Sequence, residues 1–227
     1  KSWASLTLDI ETKGDIKDMF SLEIIMMQLG NDQDQIVIDC REFDAKEFIN
    51  IIKDKKIIGH NLKFDVQVVY LNTGIMLKDL WDTMLAAQVL ECGDPNGKYS
   101  LQETSRRYVD EFAYSKQTNL FLPVVTKEVR KTFMDWEGPF LEEQIVYGAL
   151  DVYYTYRLYS VLVPLLEKEE LILTAEDEFE FLHVVMEMER EGMPFNQEKW
   201  SLIAERSEDE TYRLLDILTK IANINWN

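Results

Sequence analysis

Residues 3–11 alternate without a break, and that constrains the chain more than any other feature. Ala4, Leu6, Leu8 and Ile10 fall on one side; Trp3, Ser5, Thr7, Asp9 and Glu11 fall on the other. A period of two is a β-strand with one face for a core. The opposite face carries two carboxylates side by side, because residues i and i+2 of a strand point the same way. Adjacent carboxylates repel and raise each other's pKa unless a cation lies between them. Taken alone, Asp-x-Glu is also what an exposed strand edge with two harmless acids looks like.

The rest of the first half builds a sheet around that strand. Strands are expected at 21–29 and 35–40, separated by the turn-rich Gly30-Asn-Asp-Gln-Asp34. Asp44-Ala-Lys-Glu47 resembles a capping box opening a helix to about Lys53. Lys56-Ile-Ile-Gly59 reads as a short buried strand, and a helix follows over 62–71. Three strands, helix, strand, helix is a mixed α/β order. A helix is expected over 82–91, a break at Gly93-Asp-Pro-Asn-Gly97, and a capping box at Ser100-Leu-Gln-Glu103. Residues 112–138 read as a loop with a short helix near 123–133. A long helix is expected over 140–169, with a kink at Pro164. Charged helices follow over 175–190 and 197–222, either side of the break at Gly192-Met-Pro194.

Two further segments carry polar groups at helical spacing. In Gly59-His-Asn-Leu-Lys-Phe-Asp65, Asn61 and Asp65 are four apart and share a face, and His60 or Asn61 is placed to cap the helix. His60 has no partner at ligand spacing and reads as a packing or hydrogen-bonding residue. In Tyr147-Gly-Ala-Leu-Asp151, Tyr147 and Asp151 are again four apart. Gln144, Gly148 and Thr155 flank them, while Ile145, Ala149, Val152 and Tyr156 lie on another stripe. A mid-helix glycine costs about 1 kcal/mol relative to alanine, so Gly148 signals a close approach. Asp9, Glu11, Asp65 and Asp151, without clustered Cys or His, select a hard cation with oxygen ligands, Mg²⁺ or Mn²⁺.

Bulk composition sets limits. The chain has 227 residues, 46% hydrophobic, enough for one full core and part of a second. No apolar run approaches the roughly 20 residues of a membrane span. Two cysteines without metal or redox spacing suit a reducing compartment. The opening Lys1 suggests a piece of a longer protein. A net charge of −18 argues against tight electrostatic capture of nucleic acid by this chain alone.

In the order and surroundings of these residues, the sequence resembles the 3′–5′ proofreading exonuclease domain of family A DNA polymerases, of the ribonuclease H-like fold. Asp9 and Glu11 match its first motif, Asp65 the second, and Tyr147 with Asp151 the third. Asn72-Thr-Gly-Ile75, Asp82-Thr-Met-Leu85 and Tyr99-Ser-Leu101 match the stretches after the second. The likeness covers roughly 3–170. Phe181 to Trp200, with Met188-Glu-Arg-Glu-Gly192 and Pro194-Phe-Asn196, resembles the opening of the polymerase domain. The segment after Glu11, Thr12-Lys-Gly-Asp-Ile16, departs from the family in being polar, which leaves Ile16 or Met19 to meet the terminal base.

The resemblance implies a mixed five-stranded sheet flanked by helices over 1–172, then a helical start of a polymerase domain over 173–227. It implies two divalent cations: one held by Asp9, Glu11 and Asp151 that activates a water, the other by Asp9 and Asp65 at the leaving oxygen. Tyr147 orients the water, and Asn61 and Lys63 contact the terminal nucleotide. The implied partners are a single-stranded DNA 3′ end and a polymerase domain, with no membrane, in the cytoplasm of a bacterial or phage-infected cell or in an organelle. A ribonuclease D-like RNA exonuclease shares the same five residues; the stretch after Gly192 weighs against it. A binding or scaffolding domain is the reading from another class.

Overall fold

The alternating segment forms the central strand of a sheet. In a computed structural model, which describes residues 3–94, 96–109, 129, 132–133 and 136–222, β1 runs over Ser5–Lys13. β2 (Glu23–Gly30) and β3 (Gln35–Asp39) follow it, and β4 (Lys56–Gly59) and β5 (Leu80–Asp82) complete the sheet in the order β3-β2-β1-β4-β5. β1 pairs antiparallel with β2 and parallel with β4; β2–β3 is antiparallel and β4–β5 parallel. The mixed five-stranded expectation is met. β5 escaped the periodicity reading because three residues are too few to show a period.

The two faces of β1 set the two layers. Leu6, Leu8 and Ile10 are buried with Met27, Leu29, Ile38 and Ile57, beneath α1 (Ala45–Ile52) and α2 (Leu62–Thr73). The face of Thr7, Asp9 and Glu11 meets the long helix α5 (Glu142–Lys168), which packs on β1 to β4. Between them come α3 (Thr83–Leu90) and α4 (Leu101–Tyr108). Asp44 caps α1 through the Lys46 amide at 2.9 Å, and Ser100 caps α4 through the Glu103 amide at 3.3 Å. Both starts were expected from the capping patterns. The short helix expected near 123–133 falls largely outside the described residues.

The buried residues of α5 include Gln144, Gly148, Val152 and Thr155, at steps of four, four and three. Val152 therefore belongs to the inward stripe and not to a separate one, while Ile145 is exposed. Farther along, Leu158, Leu162 and Leu166 join Trp81, Ala175 and Phe179 in a second core cluster. Trp81 anchors it, with its ring 4.8 Å from that of Tyr159 in a T-shaped contact and 5.2 Å from Phe179. Pro164 lies inside α5.

The chain divides into two compact units, Lys1–Met186 and Glu187–Asn227. Helix α6 (Ile172–Glu191) contributes Ala175, Phe179, Leu182 and Met186 to the core of the first. In the second, α7 (Gln197–Ala222) buries none of its described residues; it is laced by ion pairs such as Arg213–Glu210 and Lys220–Asp216.

Candidate active site

β1 and α5 bring the acids together. Asp9, Glu11 and Asp151, each half-buried, place one carboxylate oxygen apiece within 4.8 Å of one another. The β1–β2 register shifts between Glu11 and Thr12, a bulge that re-aims the strand just past the second acid. Three carboxylates this close repel strongly without a cation. An all-oxygen acidic donor set suits Mg²⁺ or Mn²⁺, so the residues present fit such an ion.

Tyr147 completes the cluster from one helical turn before Asp151. Its hydroxyl donates to the Asp151 carboxylate, and its ring lies 6.0 Å from that of Phe133, beside Phe140 and Met26. Burial, then the charges of Asp151, Glu11 and Asp9, push the phenol far above its ordinary range. In the metal-free protein it is therefore held protonated, its hydrogen bond donated to Asp151.

Asp65 sits apart from the three. It lies in the first turn of α2, buried, and its Oδ1 accepts from the Ile10 amide at 3.1 Å. The β4 pairing with β1 ends at Thr7 opposite Ile58, and Asp65 takes up the strand amide beyond it. It thereby braces β1 between the two acids. Burial first, and the neighbouring Asp9 charge second, raise Asp65 well above the usual carboxylate range.

Asn61 and Asp65 do not share an environment. Asn61 is exposed, in left-handed backbone at φ 62°, and makes no side-chain cap; Lys63 is half-buried. The cap of α2 comes instead from Asp82 at the end of β5, which accepts from Leu62 at 2.7 Å and Asn61 at 3.1 Å. The same carboxylate caps α3 through Met84 at 2.8 Å and Leu85 at 3.3 Å. The expectation that His60 or Asn61 caps α2 is therefore corrected: a carboxylate from β5 reaches both amides. His60 is held at both ring nitrogens, by Thr83 Oγ1 at 2.8 Å and the Tyr99 carbonyl at 2.7 Å.

Sequence reasoning also missed Gln28. It is fully buried opposite Asp9 on β2, with its amide against Gly148. Its only signal was one polar residue inside the apolar run Ile24-Ile-Met-Met-Gln-Leu29. The close approach expected at Gly148 is real, and Gln28 makes it.

Ribonuclease D of Bartonella henselae is 26% identical over 218 residues, which is 94% of this chain and 48% of that protein. DNA polymerase I of Aquifex aeolicus is 37% identical over 86 residues, 37% of this chain and 14% of that protein. The chain thus spans about half the length of the ribonuclease D it matches. Among solved structures, Brucella melitensis NrnC aligns with a TM-score of 0.64 at 22% identity, covering 83% of this chain and 86% of that one. Other NrnC structures hold Mg²⁺ or pGG. Escherichia coli RNase D aligns with a TM-score of 0.60 at 20% identity, over 85% of this chain and 46% of that one. These likenesses show a ribonuclease H-like exonuclease fold. Residues 1–167 match the 3′–5′ exonuclease family, and the chain belongs to it.

Proposed function

We propose that this chain hydrolyses the last phosphodiester at the 3′ end of single-stranded RNA, releasing a nucleoside 5′-monophosphate. The observation that carries the reading is the convergence of Asp9, Glu11 and Asp151 with Tyr147 bonded to Asp151. Asp9, Glu11 and Asp151, with Asp65 beside Asp9, would hold divalent cations, two in this reading. Bound there, Mg²⁺ or Mn²⁺ would supply Lewis-acid polarisation of the scissile phosphate and offset its charge against the acids. The protein groups do the rest. The Tyr147 hydroxyl, whose one proton goes to Asp151, accepts from the attacking water and orients it, and Glu11 accepts the water's other proton. Attack at phosphorus breaks the bond to the 3′ oxygen of the penultimate nucleotide. Asn61 and Lys63, at the start of α2, contact the terminal nucleotide.

RNA is preferred because the ribonuclease D match covers 94% of the chain and so necessarily runs past Gly192. That weakens the case the stretch after Gly192 makes against ribonuclease D. A second reading, proofreading of DNA ends, is favoured by the higher identity, 37%, of the shorter polymerase I match. In it, residues 173–227 would open a polymerase domain, as Met188 to Asn196 suggest. The charge of −18 fits either substrate only if strand ends are delivered to the site rather than captured by it.

The test is a 5′-labelled RNA and a DNA of the same sequence, each with Mg²⁺. RNA is expected to shorten faster from its 3′ end, and Asp9→Ala or a chelator to abolish the reaction. Faster loss of DNA would reverse the assignment. Shortening that survives both Asp9→Ala and chelation would remove the exonuclease reading altogether.

A further inference from the structure

Gln28 is an expensive residue for its position. Among the described residues neither Nε2 nor Oε1 has a hydrogen-bond partner, and the side chain is fully buried. A buried amide without partners is destabilising, and the neighbouring positions of β2 are filled by Met26 and Met27. A methionine would fill the same length of space without that cost. Opposite it, on α5, stands a second unfavourable choice. Gly148 lies mid-helix, where alanine is preferred. A Cβ on it would come within 2.6 Å of Gln28 Nε2 and 2.7 Å of its Cγ. The glycine is what admits the amide.

This contact joins the two halves of the acidic cluster. Gln28 is the register partner of Asp9 across the β1–β2 pair, and directly opposed side chains of such a pair are neighbours. Gly148 follows Tyr147 and precedes Asp151 by less than one turn. A neutral amide suits this place. Its N–H groups can donate to a carboxylate without adding charge, and its carbonyl accepts in turn. Thr7 Oγ1, two residues before Asp9 on the same face, is also buried without a partner among the described residues. The polar row therefore continues beyond the acids.

We propose that Gln28 is a positioning residue of the cation site, its amide donating to the Asp9 carboxylate when a divalent cation is bound and so fixing which oxygen faces the ion. The proposal rests on the acidic cluster binding a divalent cation, as the exonuclease reading requires. Loss of such an outer partner lowers metal affinity about 10- to 100-fold.

Gln28→Met and Gln28→Leu test it by calorimetric titration with Mn²⁺ and by melting of the metal-free protein, with Asp9→Ala as the protein lacking a ligand. Both variants are expected to bind Mn²⁺ about 10- to 100-fold more weakly than wild type, with a metal-free Tm equal to or above wild type. On RNA, kcat should fall while KM holds. Unchanged Mn²⁺ affinity overturns the proposal. So does a lower metal-free Tm in both variants, which would make the amide a structural element only. Wild type that binds no Mn²⁺ removes the cation site and this role together. Wild type that binds Mn²⁺ but cuts no strand removes the exonuclease reading alone, and the calorimetric comparison still decides the role of Gln28.

Discussion

Asp82→Ala should destabilise the protein far more than a polar-to-alanine change usually does. One carboxylate accepts four backbone amides: Leu62 at 2.7 Å, Met84 at 2.8 Å, Asn61 at 3.1 Å and Leu85 at 3.3 Å. Losing a helix cap costs about 1 kcal/mol, and here two helices lose one. Leu62 and Asp82 are both buried, so the orphaned Leu62 amide adds about 1–3 kcal/mol. The total is about 3–5 kcal/mol. At about 2–4 °C per kcal/mol for a chain of this size, the melting midpoint should fall by about 6–20 °C. Asp82→Asn keeps one acceptor oxygen but turns an NH₂ toward an amide, and should lose about half as much. Thermal unfolding followed by far-UV circular dichroism, at fixed pH without metal, measures both. A midpoint for Asp82→Ala within about 2 °C of wild type would refute the double-cap argument. Activity should fall as well, because Asp82 sets where α2 begins and hence where Asn61 and Asp65 stand.

Three further outcomes are expected. Tyr147→Phe should cut kcat roughly 10²-fold while leaving KM and the metal-free Tm nearly unchanged; an unchanged kcat would take the phenol out of the reaction. Burial and Asp9 hold Asp65 above the ordinary carboxylate range, so the folded state binds this proton more tightly than the unfolded chain. Its contribution is complete below about pH 4 and is lost as pH rises through the raised value. The metal-free protein should therefore melt lower at about pH 8 than at about pH 5, and Asp65→Asn should flatten that difference; an identical slope in the variant would exclude Asp65 as its source. Finally, burial, then Asp39 and Asp44, push the Cys40 thiol up to about 12, whereas Cys92 is exposed. Iodoacetamide should modify Cys92 in the native protein and spare Cys40, as peptide mass mapping would show.

What was legible in the sequence was local. The alternation of β1 placed Asp9 and Glu11 on one face and Leu6, Leu8 and Ile10 on the other, because a period of two needs no tertiary information. The caps at Asp44 and Ser100 act within three residues and were equally visible. Gly148 announced a close approach but not what approached. Gln28 meets it only because α5 packs across β2, and such packing partners leave no mark on a single chain. The cap of α2 was misplaced for the same reason, since Asp82 lies 20 residues beyond Leu62. Asp65 was placed near the acids, but its bond to the Ile10 amide follows from where β4 stops pairing with β1. Val152 was assigned to the wrong stripe because the helical surface of α5 is rich in apolar and aromatic groups all round. Only the sheet selects which of them turn inward.

The acidic cluster draws on both ends of one long stretch of chain, and this has a consequence for the timing of synthesis. Glu11 and Asp151 stand about 140 positions apart. A ribosome adding about 5–20 residues per second makes β1 about 7–28 s before α5 can cross it. Throughout that interval the growing polypeptide holds two of the three clustered acids and no Tyr147. A nuclease emerging beside messenger RNA would therefore be harmless until most of its first compact unit has been made.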